Sequence, residues 1–533
     1  MTLTSLSFFG FVLGVLVLYY LFPLERRWWV LLAASFAFYG IVSLRYMPFL
    51  LVTIASTYGG AIWMEDMAAK RKAIQKEHKA EWSKEEKKAF KNGTASRKKG
   101  ILVAVLLFNF GILAALKYYN WLASFIGDVT HTEPPLIKLL LPLGISFYTF
   151  QTMGYLIDVY WEKTPAQRNL GKFALFASFF PQIIQGPIGI YDDLAHQLYE
   201  GHKINYQNLK FGFQLILWGL FTKMVVADRA IVPLRAILEQ KTELSGFWNL
   251  LAVLIYSIQL YADFAGGINI SRGVAEMLGI DMAKNFIQPY FSRSVSEFWR
   301  RWHATLGHWL LTYLFYPLAV SKPLLRLGRW MSAHSKGKVG HHLARVVPGG
   351  IATLITFMAI GMWHGASWQY AGFGIYMGGI VFLSTLLEPV FVYLKEKLKV
   401  RYTTFSYRLF QMVRTFILIL IADVFDIADG LKDSLVMIKK CLTDPLPGGD
   451  FSRAAVAALG LEKTDWMIMA AGVVAMFCVS LYQVRSGHQV RETLDKQGIW
   501  FQWLVTLGLL FSVIILGMYG PGISANEFVY MQY

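Results

Sequence analysis

The feature that most constrains this chain is a series of apolar runs, each long enough to cross a bilayer as a helix. Such a crossing takes roughly 20 residues. Runs of this kind lie near 3–22, 28–45, 47–63, 101–117, 136–160, 208–228, 246–265, 348–363, 368–390, 405–424, 466–484 and 500–519. Lipid offers no partner for backbone N–H and C=O groups, so each crossing segment must satisfy its own, as a helix does. The expected fold is an all-α polytopic membrane protein with about 11–12 transmembrane helices. It reads as a single integral membrane domain over 1–533, with residues 64–100 as a basic cytoplasmic loop. Composition agrees, since only 16% of the 533 residues are charged, against about 25% in a soluble domain.

The formal net charge is +17. In a soluble chain that excess would point to nucleic acid. Here the basic residues gather between apolar runs, so topology accounts for them and no nucleic-acid partner is expected. Residues 64–100 hold twelve Lys/Arg against six Asp/Glu, which reads as cytoplasmic under the positive-inside rule. No basic residue precedes the first run, and Arg26 and Arg27 follow it. That order suits a signal-anchor with its N-terminus outside and no cleavable signal. The basic loops at 162–172 and 484–498 also fit inside, which puts the C-terminal tail outside. Cys441 and Cys478 form no CxxC pair and suggest no disulfide framework.

Two stretches do not read as simple spans. "FALFASFFPQIIQGPIGIY" (173–191) is apolar but carries Pro181, Gln182, Gln185, Gly186 and Pro187. Backbone freed by proline and glycine survives at membrane depth only inside protein or beside water. A re-entrant or broken segment is expected, with an amphipathic surface helix as the alternative. In "YADFAGGINISRGVAEMLGI" (261–280), Asp263 follows an apolar run and Gly266–Gly267 interrupts it, while Arg272 and Glu276 stand at pairing distance on a helix.

"SEFWRRWHATLGHWL" (296–310) sets two arginines and two histidines among large aromatics. At helical spacing Trp299, Trp302, His303, Leu306, Trp309, Leu310 and Tyr313 share a face, while Arg300, Arg301 and Thr305 fall elsewhere. Two readings stay open. One is an interfacial helix, with tryptophan in the aromatic belt and arginine at headgroups. The other is a helix lining a buried cavity, with His303 facing it. His308 is five residues from His303, whereas a histidine metal pair on one helix wants a spacing of four, so no metal is expected. "AIGMWHGASWQYAGFGIY" (359–376) supplies a second element. His364 ends an apolar run beside Trp363 and before Gly365. An ionisable residue at membrane depth is a functional candidate, and neutral imidazole takes up a proton near pH 7.

"SVSEFWRRWHATLGHWLLTYLFYPL" (294–318) and "GMWHGASW" (361–368) resemble the two signature regions of the membrane-bound O-acyltransferase family. "LPLGISFYTFQTMGYLIDVY" (141–160), "FFPQIIQGPI" (179–188), "LILWGLFTKMVVADR" (215–229), "YADFAGGINI" (261–270) and "EFVYMQY" (527–533) follow in that family's order. The resemblance is nearest to the bacterial branch that modifies cell-surface polymers, which includes alginate O-acetyltransferases and the D-alanyl transfer protein of teichoic acid modification. It implies re-entrant segments around a central funnel or tunnel joining a cytoplasmic acyl-thioester donor to an extracellular acceptor, with the motif-bearing core at 141–390. It places the key histidine at His364 and the second at His303. Asp426 and Ile427 stand where many alginate-type members carry Phe-Arg, and "GGINISRG" (266–273) also differs, which opens the identity of the acceptor polymer.

The resemblance further implies acyl transfer, probing toward acetyl, at the bacterial plasma membrane. His364 is expected as the base that deprotonates an incoming hydroxyl. His303 is expected to orient the acyl group or stabilise developing charge. Trp299, Trp302 and Trp363 would wall the cavity against water, Arg300 and Arg301 would hold donor phosphates or anchor the surface, and Tyr148, Gln151, Gln182, Gln185 and Asp263 would line the tunnel. No bound cofactor is expected. The donor is acetyl-CoA or an acyl carrier protein. Expected partners are membrane lipids, a cytoplasmic acyl carrier protein and an extracellular SGNH-type transferase, for which Phe528, Tyr530 and Tyr533 are docking candidates. A proton-coupled transporter and a lipid O-acyltransferase are the alternatives.

Overall fold

The apolar runs fold as helices, and every regular element among the described residues is helical. A computed structural model describes residues 1–133, 135–136, 142, 144–240, 245–444 and 458–519. The aromatics of the C-terminal tail, Phe528, Tyr530 and Tyr533, lie outside the described residues. Among the described residues, six helices are long and apolar enough to cross a membrane: Leu24–Glu77, Lys84–Thr130, Gly246–Met277, Gly337–His364, Lys463–Ser486 and Ile499–Leu516. Trp368–Leu386 and Glu388–Lys397, bent by 57° at their junction, make a seventh if taken as one span. Among the described residues this is fewer than the sequence runs, because the runs 28–45 and 47–63 lie in one helix and others fold into shorter or more polar helices. Residues 136–160 give only Ile145–Tyr160 among the described residues. The apolar window of Gly246–Met277 is 78% buried, against 6% for Ile499–Leu516, so the first is a core element and the second presents its sides outward.

The chain forms two compact units, Met1–Phe213 with Ser271–Ala283, and Gln214–Ile270 with Lys284–Tyr533. In the first, residues 64–100 are mostly helical, with a turn over 78–83. They continue the helix α1 (Met47–Glu77) and begin the helix α2 (Lys84–Thr130). Their Glu, Lys and Ala are good helix formers. The second helix starts on a reciprocal cap: the Ser83 hydroxyl accepts from Glu86 N–H at 3.1 Å, and the Glu86 carboxylate accepts from Ser83 N–H at 2.8 Å. Not all of the basic residues here are solvated. Lys98 is 4% exposed and donates to Glu162 at 3.0 Å. Arg71 and Lys72 reach the same carboxylate at 3.3 and 3.1 Å. Arg27 is likewise buried, donating to the carbonyls of Phe22, Tyr20 and His202.

The Lys98 hydrogen bond holds the Glu162 carboxyl down at about 2, below its ordinary 4.5. A depressed acid contributes stability that is complete above its unfolded pKa and is lost as pH falls through the folded one. Wild type and Glu162→Gln should therefore differ in melting temperature at pH 7, and the gap should close between about pH 4.5 and pH 2. Thermal unfolding in detergent across that range reads it.

The segment 173–191 is broken, as its prolines imply. It forms two short helices, Leu170–Ser178 and Phe180–Gln185, followed by extended backbone. Phe173, Phe176, Phe179 and Phe180 are each at most 1% exposed, which rules against a surface helix.

In the second unit, Gly266–Gly267 does not interrupt anything. The helix α3 (Gly246–Met277) runs through it. A Cβ on Gly219 would sit 2.6 Å from the Gly266 carbonyl oxygen, and one on Gly266 would sit 2.9 Å from that of Gly219. The glycines let two helix backbones touch. A turn further on, residues Phe221–Ala227 widen into a π-helical segment. There Lys223, 2% exposed, pairs with Asp263 at 2.5 Å and Asp228 at 2.9 Å.

Candidate functional site

The 296–310 stretch does not form one helix. The helix α4 (Val295–Arg301) stops, and α5 (Ala304–Leu310) starts after two intervening residues. His303 lies between them at φ 43°, ψ 49°. That left-handed conformation costs a non-glycine residue roughly 1–2 kcal/mol, so tertiary contacts must hold it. The single face expected for Trp299 through Tyr313 is therefore split, and the backbone turn re-aims the imidazole.

Local chemistry closes the first helix. The Ser294 hydroxyl accepts from Glu297 N–H at 3.1 Å, and the Glu297 carboxylate accepts from Arg301 at 2.7 Å and from Arg293 N–H at 2.8 Å. Arg301 thus braces the turn that carries the site. Arg300 points to the exterior and is exposed.

Asn285 holds the histidine. Its Oδ1 accepts from Thr305 N–H at 3.2 Å and from the Thr305 hydroxyl at 2.8 Å. A backbone N–H only donates, so the facing atom is the amide oxygen. His303 Nδ1 is 3.0 Å from that same oxygen and must carry its proton. In the neutral ring Nε2 then holds the lone pair. This favours accepting a hydrogen bond from a hydroxyl over donating to an oxyanion, which would need a second proton. His303 lies between two seven-residue helices, outside the long apolar ones. Burial holds its pKa low, at about 3, and the nearby His364 adds to the effect. Asn285→Ala should cost about 1–3 kcal/mol, read by thermal unfolding, and should abolish the Nδ1–H tautomer preference in the ¹⁵N shifts of labelled histidine.

His303 packs edge-on against Phe264 at 4.9 Å between ring centroids, and against Trp363 at 6.0 Å. On the other side, Trp363 lies 5.1 Å from His364. His364 ends the helix α6 (Gly337–His364) and is 8% exposed. Tyr370 stacks alongside it at 6.2 Å and 18°. Gly365 makes this possible, since a Cβ there would overlap the Tyr370 ring. Trp299 meets Phe357 at 5.6 Å and Phe373 at 6.1 Å, and Trp302 stacks on Phe298 at 5.5 Å.

A small cavity of about 20 Å³ opens beside His364, bordered by Trp299, Trp302, Tyr290, Asp423 and Asp426. This is room for roughly one water-sized group. His303, His364, Trp299, Trp302 and Trp363 thus come together from two separate segments. Asp263 does not join them; it belongs to the Lys223 ion cluster. Tyr148, Gln151, Gln182 and Gln185 are buried in the first unit. There Gln151 donates to the Phe176 carbonyl at 2.6 Å and Gln182 to that of Pro187 at 2.8 Å. Sequence reasoning missed Asn285, Tyr290 and Asp423. Asn285 leaves no signal in a polar loop. Asp423 stands in an apolar helix, where the rule that singled out His364 applies equally.

Residues 165–332 match the model of the membrane-bound O-acyltransferase family. That stretch contains His303; His364 lies beyond it. The chain is 29% identical over 386 residues to a probable alginate O-acetylase of Pseudomonas syringae pv. tomato, covering 72% of this chain and 66% of that protein. It is 27% identical over 382 residues to the peptidoglycan O-acetyltransferase of Helicobacter pylori, covering 67% and 64%. It is 30% identical over 257 residues to a teichoic acid D-alanyltransferase of Streptococcus thermophilus, covering 45% and 56%. In each case the chain spans less than two thirds of the relative's length. With several helices long and apolar enough to cross a membrane, the protein is a multi-pass membrane protein.

Proposed function

We propose that this chain is a membrane-bound O-acyltransferase that passes an acyl group, acetyl in the first instance, from a cytoplasmic thioester to a hydroxyl of a cell-surface polymer. The observation that carries this reading is the meeting of His303 and His364 on either side of Trp363, in an aromatic-walled site. His364 takes the acceptor's hydroxyl proton as its oxygen bonds to the thioester carbonyl carbon. Collapse of the adduct breaks the C–S bond, and the thiolate leaves with that proton. His303, with its Nε2 lone pair, orients the acceptor hydroxyl. The tryptophans keep water from the thioester, which would otherwise be hydrolysed.

The donor in this proposal is acetyl-CoA or an acyl carrier protein, and the location is the bacterial plasma membrane. An extracellular SGNH-type transferase receives the acyl group or shares its delivery. The relatives named for alginate, peptidoglycan and teichoic acid support a polymer acceptor of this general kind. The test is thiol release from acetyl-CoA by purified protein, with and without candidate carrier and transferase partners. Release that requires His364 supports the reading. Its absence under every partner combination, with folded protein, rules it out in favour of a transporter.

A further inference from the structure

The helix Glu388–Lys397 leaves Trp368–Leu386 at a bend of 57° and buries none of its residues. Five consecutive residues, Val390, Phe391, Val392, Tyr393 and Leu394, are each between 42% and 59% exposed. At roughly 3.6 residues per turn, five in a row point in every direction around the axis. A helix that is apolar all round needs an apolar surrounding. Its end is basic: Lys395, Lys397, Lys399 and Arg401 fall within residues 395–401, against Glu396. Lysines at the end of an apolar segment lay their stems along it and carry their charge to headgroup level. The positive-inside rule puts this end on the cytoplasmic side, where the leaflet presents anionic lipid.

The turn that follows shapes a site. Val400 N–H donates to the Lys395 carbonyl at 2.9 Å, and Lys399 N–H to that of Glu396 at 3.1 Å. In this helix-ending motif the left-handed position ordinarily goes to glycine. Here Lys399 holds it, at φ 50°, so a charged side chain is kept where the backbone favours none. The fold-back sets Lys395 and Lys399 on one cavity of about 630 Å³, with Arg293 also on its wall. Arg414 ties the Arg293 carbonyl in place at 2.9 Å. Among the described residues on this wall, Glu396 is the only acid against those three cations. Arg293 Nε lies 3.9 Å from a Glu297 carboxylate that already accepts from Arg301 at 2.7 Å. Neither lysine has an ion-pair partner among the described residues. Tyr402 and Tyr407 add polar groups to the same wall. Such a cavity is complementary to a phosphate-bearing anion.

We infer that Lys395, Lys399 and Arg293 bind the phosphodiester headgroup of an anionic phospholipid of the cytoplasmic leaflet, whose acyl chains cover the helix Glu388–Lys397. The exposed helix is what selects lipid over a soluble phosphate, because a soluble anion would fill the cavity and leave that apolar surface in water. The site stands whether or not the protein transfers acyl groups.

The test is native mass spectrometry of full-length protein, washed free of lipid in detergent and offered phosphatidylglycerol or phosphatidylcholine with matched chains. Both carry a phosphodiester, and only the first has a net negative charge. Wild type should retain phosphatidylglycerol at least about tenfold better. Lys395→Gln combined with Lys399→Gly should lower that retention by about 20–30-fold, the effect of two cations near a headgroup. Glycine suits the left-handed turn, so this variant should melt no lower than wild type in phosphatidylcholine. Lys336→Gln with Lys338→Gln removes the same charge from an exposed segment away from the cavity and should leave retention unchanged. Phosphatidylglycerol should also raise the melting temperature of wild type and of this second variant, but not of the first. Equal retention of the two lipids by wild type, unchanged retention in the Lys395/Lys399 variant, or an equal loss in the Lys336/Lys338 variant overturns the site. Displacement of phosphatidylglycerol by coenzyme A or inorganic phosphate overturns the lipid occupant in favour of a soluble phosphate.

Discussion

Replacing His364 by alanine is expected to lower acyl transfer from a thioester by about 10²–10⁴-fold, the usual contribution of a positioned base. The loss should fall on kcat, because the imidazole acts on a proton that moves only in the transition state. His364→Gln keeps the volume and a hydrogen-bonding end but cannot take up a proton, so it should be nearly as inactive. His303→Ala should behave differently. Its imidazole is tied to Asn285, so its loss should raise acceptor KM and lower kcat less. Steady-state kinetics with the acceptor varied, on protein of unchanged melting temperature, separates the two. Equal effects of the two alanine variants on both parameters would contradict the division of roles.

The second large effect concerns folding. Lys223→Met should destabilise the protein by about 3–5 kcal/mol, the cost of removing one partner from a buried ion pair. The reason is what stays behind: Asp263, 0% exposed, and Asp228, 8% exposed, lose the ammonium group that lies 2.5 and 2.9 Å away. Methionine fills the space but offers no charge. Adding Asp263→Asn to Lys223→Met should recover part of the loss, since the pair then contributes no uncompensated charge. Fluorescence-detected size exclusion over a temperature ramp reads both variants. A Lys223→Met protein as stable as wild type would show the cluster to be solvated rather than sealed.

The helices were legible in the sequence because hydropathy reports burial in lipid directly. The long apolar runs and the break around Pro181 and Pro187 both appear where composition puts them. Charge was a poorer guide to shape. The basic stretch 64–100 reads as loop by its solvation, yet its residue types favour helix, and helix is what forms. Glycine was read as an interruption at Gly266, whereas its lack of a side chain serves a close crossing, which depends on a partner helix distant in sequence. The site shows the same division. His303, His364 and the tryptophans stand out as residue types in an apolar setting. The left-handed turn at His303 does not, because Asn285 imposes it from a different segment.

The contact of Gly219 with Gly266 has a kinematic consequence. Two helices whose backbones meet without intervening side chains cannot slide past each other by a turn. Doing so would drive Leu215 or Lys223 on one helix, or Ala262 or Ile270 on the other, into the place of a missing Cβ. The pair therefore shares one register, and the Lys223–Asp263 contact lies within a turn of that crossing. Any breathing of the second unit must leave this crossing as a fixed pivot, with displacement taken up by helices that meet through side chains.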